Sequence, residues 1–137
     1  MKRIIVAVDG SEASMHAART ALDIAKTTQG EVTLVYIISQ PFLPTEVPFS
    51  TGQLAEDSVK IGELMLEQTA QKLGQPNLRR LCLSGPAAET LADLAESEHA
   101  DLLVVGSKGR GAVSRVLIGS TTDRVVHISK KPVLVVR

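Results

Sequence analysis

Four short runs of apolar, mostly β-branched residues constrain this chain more than any other feature: Ile4 to Val8, Val32 to Ile38, Leu102 to Val105 and Val133 to Val136. Each run is nearly continuous rather than alternating, so it needs cover on both faces. That is the pattern of strands in a parallel sheet wrapped by helices. A weaker run, Leu78 to Leu83, carries Arg79 and Arg80 inside it and suits an edge strand.

Helical patterns fill the gaps between the runs. Behind Ser11, a suitable N-cap, Ala18, Ala21, Leu22 and Ala25 recur at helical spacing, and Gly30 stands where a glycine ends a helix. From Gln53 to Leu73 the residues favour helix, with a stripe of Leu54, Ile61, Leu64, Met65 and Leu73 closed by Gly74 and Pro76. Pro86 suits the first position of a third helix bearing Ala88, Leu91, Ala92 and Ala95. Ser120 is placed to cap a last helix with Val125, Val126 and Ile128, ahead of Pro132. Only Ser39 to Gly52, with Pro41, Pro44 and Pro48, lacks periodicity, and loops of such length tend to be functional.

The order βαβαβαβαβ with right-handed crossovers predicts an α/β fold: a three-layer αβα sandwich around a doubly wound, five-stranded parallel sheet. A chain of 137 residues is expected to make one such domain, spanning 1–137.

Charge and composition remove several function classes. Fifteen Lys and Arg balance fifteen Asp and Glu, leaving no overall field to gather a nucleic acid or an anionic membrane. Aromatics are 2% of residues, too few for base-stacking platforms. The lone Cys82 reads as a small core residue, and no Cys/His spacing suits zinc. The apolar run after Lys2 and Arg3 is too short for a signal peptide, and nothing approaches the roughly 18 residues of a membrane helix. The expectation is a cytoplasmic protein without nucleic-acid or membrane partners.

In open parallel sheets ligands bind beyond the carboxyl ends of the strands, where the winding reverses. Asp9-Gly10-Ser11 follows the first strand and Ser39-Gln40-Pro41 the second. The fourth is followed by Gly106-Ser107-Lys108-Gly109-Arg110-Gly111, with three glycines and two cations in six residues. Glycine lets backbone N–H groups approach a phosphate closely, and successive N–H groups make anion-binding concavities. Gly119-Ser120-Thr121-Thr122 then opens a helix, whose free N–H groups favour a second anionic contact. From Gly106 to Arg124 there are four cations (Lys108, Arg110, Arg115, Arg124) against Asp123, a local surplus suited to a polyphosphate. Lys108 and Arg110 would add to affinity while backbone donors do the positioning. Asp9 would either cap the turn after its strand or meet a ribose hydroxyl or Mg²⁺.

Other motifs fail. Ala112 and Val113 follow Gly111 where a Walker loop needs Lys and Ser or Thr, and Ser114 stands where a dinucleotide fingerprint starting at Gly109 needs its last glycine. His16, His99 and His127 have no acid or nucleophile at an interpretable spacing. No general base, nucleophile elbow or metal triad emerges, which argues against efficient catalysis.

The pattern Gly106-x2-Gly109-x9-Gly119-Ser120 resembles that of ATP-binding members of the universal stress protein family. The opening Lys2 to Ser11 and the ending Lys131 to Arg137 are similar to that family's first and last strands, and the likeness spans essentially the whole chain. The resemblance implies a Rossmann-like fold of the adenine nucleotide alpha hydrolase type, with ATP, accompanied by Mg²⁺, across the ends of the first and fourth strands. It places Asp9 beside the ribose and phosphates, Ile37 at the adenine, Gly106 and Gly109 under the phosphates, and Gly119, Ser120 and Thr122 at their far side. Val8, Lys108, Arg110 and Thr121 complete the implied set. It also implies a homodimer through the C-terminal strand, Val133 to Val136, and at most slow ATP hydrolysis. The function expected is a nucleotide-dependent regulatory or stress-response module; the alternative is a dimeric scaffold that works through protein contacts without nucleotide.

Overall fold

The computed structural model describes residues 2–39, 51–108 and 118–137, and of 51–55 the backbone alone. Five parallel strands, β1 (Arg3–Ala7), β2 (Glu31–Ile38), β3 (Arg79–Ser84), β4 (Leu102–Gly106) and β5 (Val133–Val136), alternate with α1 (Glu12–Thr28), α2 (Thr51–Lys72), α3 (Ala87–Ser97) and α4 (Ser120–Ile128). The sheet order is β3-β2-β1-β4-β5. The chain therefore starts near the middle, winds outward through β2 to β3, crosses back to β4 and winds outward the other way to β5. The charged Leu78 to Leu83 run does become an edge strand, and the winding reverses between β1 and β4.

The continuous apolar runs are explained by two cores. Ile4, Val6, Val8, Leu34 and Val104 pack against Ala17, Ala18 and Ala21 of α1 and Leu66 and Ala70 of α2. Ile5, Val35, Leu103 and Val105 face the other way, onto Ala88, Leu91 and Ala95 of α3 and Val125 of α4. Both parities of β1 are thus buried, as strands covered on two faces require. Leu34 and Leu103, fully buried on opposite faces, each contribute about 1.5–3 kcal/mol. Among the described residues no helix is long and apolar enough to cross a membrane.

Several local details depart from the sequence expectation. Ser11 caps α1 as expected, accepting from the Ser14 N–H at 3.2 Å, but the left-handed residue at the far end is Gln29, at φ 55°, and not Gly30. Gly30 instead donates its N–H to the Ala25 carbonyl at 2.9 Å, completing the C-terminal wrap. Pro86 is the N-cap of α3 rather than its first helical residue, and Gly119, not Ser120, occupies that position in α4. In α2 the expected stripe holds only in part: Leu73 packs against the core and Met65 is half-buried, but Ile61 and Leu64 are 63% and 54% exposed, and Gly62, Leu66, Thr69 and Ala70 face inward. The cause is proximity. A Cβ on Gly62 would lie 2.6 Å from Cys82 Sγ and 2.7 Å from Tyr36 Cδ1, so the closest approach of helix to sheet selects the smallest residue and turns the larger ones outward. The proline-bearing residues 40–50 and the side chain of Leu54 lie outside the described residues.

Candidate functional site

The reversal point lies between the carboxyl ends of β1 and β4, which pair as Ile4↔Leu102, Ile5↔Leu103 and Val6↔Val104. Continuing that register by two residues brings Val8 level with Gly106. Val8 is buried and donates its N–H to the Val35 carbonyl at 2.8 Å, which fixes where β1 leaves the sheet.

Beyond Val8 the backbone turns sharply. Gly10 adopts φ +86°, a conformation few side chains tolerate. One carboxylate oxygen of Asp9 accepts the Ser11 N–H at 2.9 Å, and the Asp9 N–H donates to Ser14 Oγ at 3.2 Å. The Ser14 hydroxyl in turn donates to the Ser11 carbonyl at 2.9 Å. Asp9 therefore caps its own turn, one of its two expected roles, at the carboxyl end of β1.

On the β4 side, Gly106 leaves no room for a side chain: a Cβ there would sit 2.8 Å from the backbone carbonyl carbon of Ala13 and 2.9 Å from its oxygen. This glycine is required by the packing of α1 over the end of β4, a cause the motif alone does not reveal. The next residues form a closed base. The Ser107 N–H donates to the Val136 carbonyl at 2.7 Å, and the Gly119 N–H donates to the Ser107 carbonyl at 2.7 Å. Thr122, 7% exposed, donates its hydroxyl to the Gly106 carbonyl at 2.7 Å. Residues 107 and 119, far apart in sequence, are thus hydrogen-bonded neighbours.

The start of α4 faces this base. Its N-cap, Gly119, has no side chain to accept from the first turn, and no side-chain cap bond is made. Ser120 and Thr121 are exposed. An uncapped first turn offers backbone donors and the positive end of the helix dipole to an anion. Lys108 follows at the rim, half-buried. Ile37 lies one strand away on β2, half-buried and packed on the α3 and α4 core.

The structure thus gathers Val8, Asp9, Gly106, Lys108, Gly119, Ser120, Thr121 and Thr122 at one end of the sheet, with Ile37 beside them. Gly109 and Arg110 lie outside the described residues, as does Arg115. Arg124 does not add to the local surplus of positive charge: its Nε is ion-paired with Glu89 of α3. The hydrogen bond from Arg124 holds the Glu89 carboxyl below its ordinary range. Among the described residues no group of three or more His, Cys, Asp or Glu side chains is arranged to hold a metal ion.

Residues 1–137 match the family described as the universal stress protein family. A universal stress protein of Methanocaldococcus jannaschii, MJ0531, is 32% identical over 140 residues, covering 99% of this chain and 82% of that one. The universal stress protein UspA from Lactobacillus plantarum superposes with a TM-score of 0.85 at 28% identity, covering 99% of this chain and 97% of that one. A universal stress protein crystallised in complex with cAMP superposes with a TM-score of 0.73 at 25% identity, covering 99% and 97%.

Proposed function

Because the chain belongs to the universal stress protein family, we propose that it binds an adenine nucleotide at the β1/β4 crevice, with ATP and Mg²⁺ the preferred form. The observation that carries this reading is the uncapped first turn of α4, held against the end of β4 by the Ser107 to Gly119 and Thr122 to Gly106 hydrogen bonds. Donors fixed before the ligand arrives lose little entropy on binding it. A protein similar over nearly its full length is described in complex with cAMP, which supports an adenine compound as the ligand.

In this arrangement the N–H groups of Ser120 and Thr121 take the outer phosphates, and the glycines Gly106 and Gly109 let the backbone of the β4 loop pass close beneath them. Thr122 keeps the two walls at a fixed separation. Ile37 and Val8 give the base an apolar rest, and Asp9 meets the ribose or a phosphate-bound Mg²⁺. Lys108 and Arg110 strengthen the hold on the phosphates. When bound, Mg²⁺ would offset phosphate charge; this chain supplies position and donors, so turnover is slow at most.

We read the protein as a single-domain, cytoplasmic homodimer that pairs through β5, whose backbone is hydrogen-bonded to β4 on one side and whose four side chains are half-buried. An edge of this kind invites pairing with a second copy. Nucleotide occupancy would then serve as the regulatory signal in a stress response.

A specific observation favours the second reading, a scaffold without nucleotide: Gly106, Thr122 and Arg124 each have a task within the fold. Thermal melting with and without MgATP separates the two. Nucleotide at 100 times its dissociation constant stabilises the fold by about 2.7 kcal/mol, whereas a scaffold melts unchanged. In the variant Gly109→Val, binding should be lost while the melting point without nucleotide is kept; retained affinity would move the phosphates away from this loop.

A further inference from the structure

A second polar recess lies at the opposite end of the sheet. It has a volume of about 150 Å³ and is lined by Arg3, Ile5, Glu31, Thr33, Arg79 and Glu98, among others. Its position follows from the alternation of the strands. Arg3, Ile5, Glu31, Thr33 and Arg79 share the parity that faces α3, being cross-strand partners in the pairs Arg3↔Glu31, Ile5↔Thr33 and Thr33↔Arg79. Because α3 stops at Ser97, the first turns of these strands are left without a helix above them.

Three features make this more than a gap. Thr33 is 8% exposed, and since no buried side-chain polar atom among the described residues lacks a partner, its hydroxyl is open to the recess it lines. The two guanidinium groups and two carboxylates are not all paired with one another. Arg79 holds Glu98 in a two-pronged bond, 2.9 Å at each oxygen, and so neutralises it. Arg3 spends one N–H on the Glu98 backbone carbonyl at 3.0 Å. Arg3 and Glu31 stand directly across the β1–β2 pairing with opposite charges, and among the described residues no ion pair joins them.

The floor is also rigid. The backbone N–H groups of Lys2 and Arg3 both donate to Asp101 Oδ2, at 2.8 and 2.9 Å. The Glu31 N–H donates to the Lys2 carbonyl at 2.7 Å, and the Asp101 N–H to the Arg3 carbonyl at 2.8 Å.

The geometry points to a binding site for a small zwitterion of the α-amino acid type, its carboxylate on Arg3, its ammonium on Glu31 and a polar atom on the Thr33 hydroxyl. One positive and one negative group, fixed across a strand pair and uncommitted to each other, match a ligand that carries both charges a few ångströms apart. A simple anion would meet Glu31 and Glu98, and a simple cation would meet Arg3 and Arg79. The volume admits a ligand of a few heavy atoms beyond the charged ends. This site is independent of the nucleotide crevice.

The test is a titration of the ¹⁵N-labelled full chain with L-alanine, followed through the amides of Ile5, Thr33 and Arg79, with acetate and methylammonium as half-ligands. Saturable shifts at these amides are expected, with each half-ligand at least about tenfold weaker, the loss of one charge-assisted contact. Glu31→Gln, at an exposed position, and Thr33→Val, a near-isosteric change, should each weaken L-alanine about tenfold with the spectrum otherwise that of the folded protein. Shifts that never saturate, acetate binding as tightly as L-alanine, or both variants binding undiminished would each overturn the assignment. Saturating MgATP should leave the L-alanine affinity unchanged; strong competition would place the zwitterion in the other crevice instead.

Discussion

At Gly106 the phosphate reading and the packing reading ask for the same residue, and they can be separated. A methyl group there meets the Ala13 backbone at 2.8 Å, and backbone yields less readily than the end of a side chain. Gly106→Ala should therefore destabilise the protein without any nucleotide present, by about 1–3 kcal/mol, read as a lower urea midpoint at unchanged slope. His99 is the converse case. It adopts φ 53° without being glycine, a strain of about 1–2 kcal/mol for a residue with a Cβ. After the greater backbone freedom of glycine in the unfolded chain is counted, His99→Gly should raise stability by about 0.5–1 kcal/mol in the same assay. Asp101 adds a pH dependence. Its bonds from the Arg3 and Lys2 N–H groups hold its carboxyl below the ordinary aspartate range. A pKa depressed in the folded state confers stability that is complete above the unfolded value and is lost as pH falls through the folded one. Acid below about pH 4 should loosen the start of β1, and Asp101→Asn should flatten that part of the stability profile.

Among the elements, α2 shows most clearly where reading a sequence stops. Its existence and its end at Gly74 were legible, because helix-favouring residues and a terminating glycine act locally. Its buried face was legible only in part, at Leu73, because Gly62 is selected by Cys82 of β3 and Tyr36 of β2, and a stripe of large apolar residues is no guide where a helix lies that close to its sheet. A double-mutant cycle should expose that contact. Gly62→Ala alone should cost more than about 1 kcal/mol, and Gly62→Ala combined with Cys82→Ala should recover part of the loss, a coupling expected only for groups in contact. Additive losses in the urea midpoint would remove this explanation of the exposed Ile61 and Leu64. The start of α4 has the same character: Gly119-Ser120 marked the helix in the sequence, whereas the Thr122 hydroxyl bond to Gly106 joins residues that only the fold brings together. Thr122→Val leaves that carbonyl without its donor and should cost about 1–3 kcal/mol.

Over the whole molecule, the continuous strands were enough to give a doubly wound parallel sheet. The place where its winding reverses, between β1 and β4 at the proposed nucleotide crevice, is set by the strand order β3-β2-β1-β4-β5, since such sheets can also reverse between other strands. In the sequence only the family resemblance pointed there. What the sequence could not show is how much of that crevice is occupied by the fold's own bonds: Asp9 caps a turn, Thr122 ties two walls and Arg124 answers Glu89. The recess at the far end was equally invisible, because it depends on α3 ending short of the first residues of three strands. The central claim is that the β1/β4 end of the sheet holds the phosphates of an adenine nucleotide. Its most direct test is a crystal structure of the full chain grown with excess MgATP. The account predicts phosphate oxygens within hydrogen-bond distance of the Ser120 and Thr121 backbone N–H groups and the adenine beside Ile37. A well-ordered crevice that remains empty at saturating nucleotide, or a nucleotide bound elsewhere on the molecule, would contradict it.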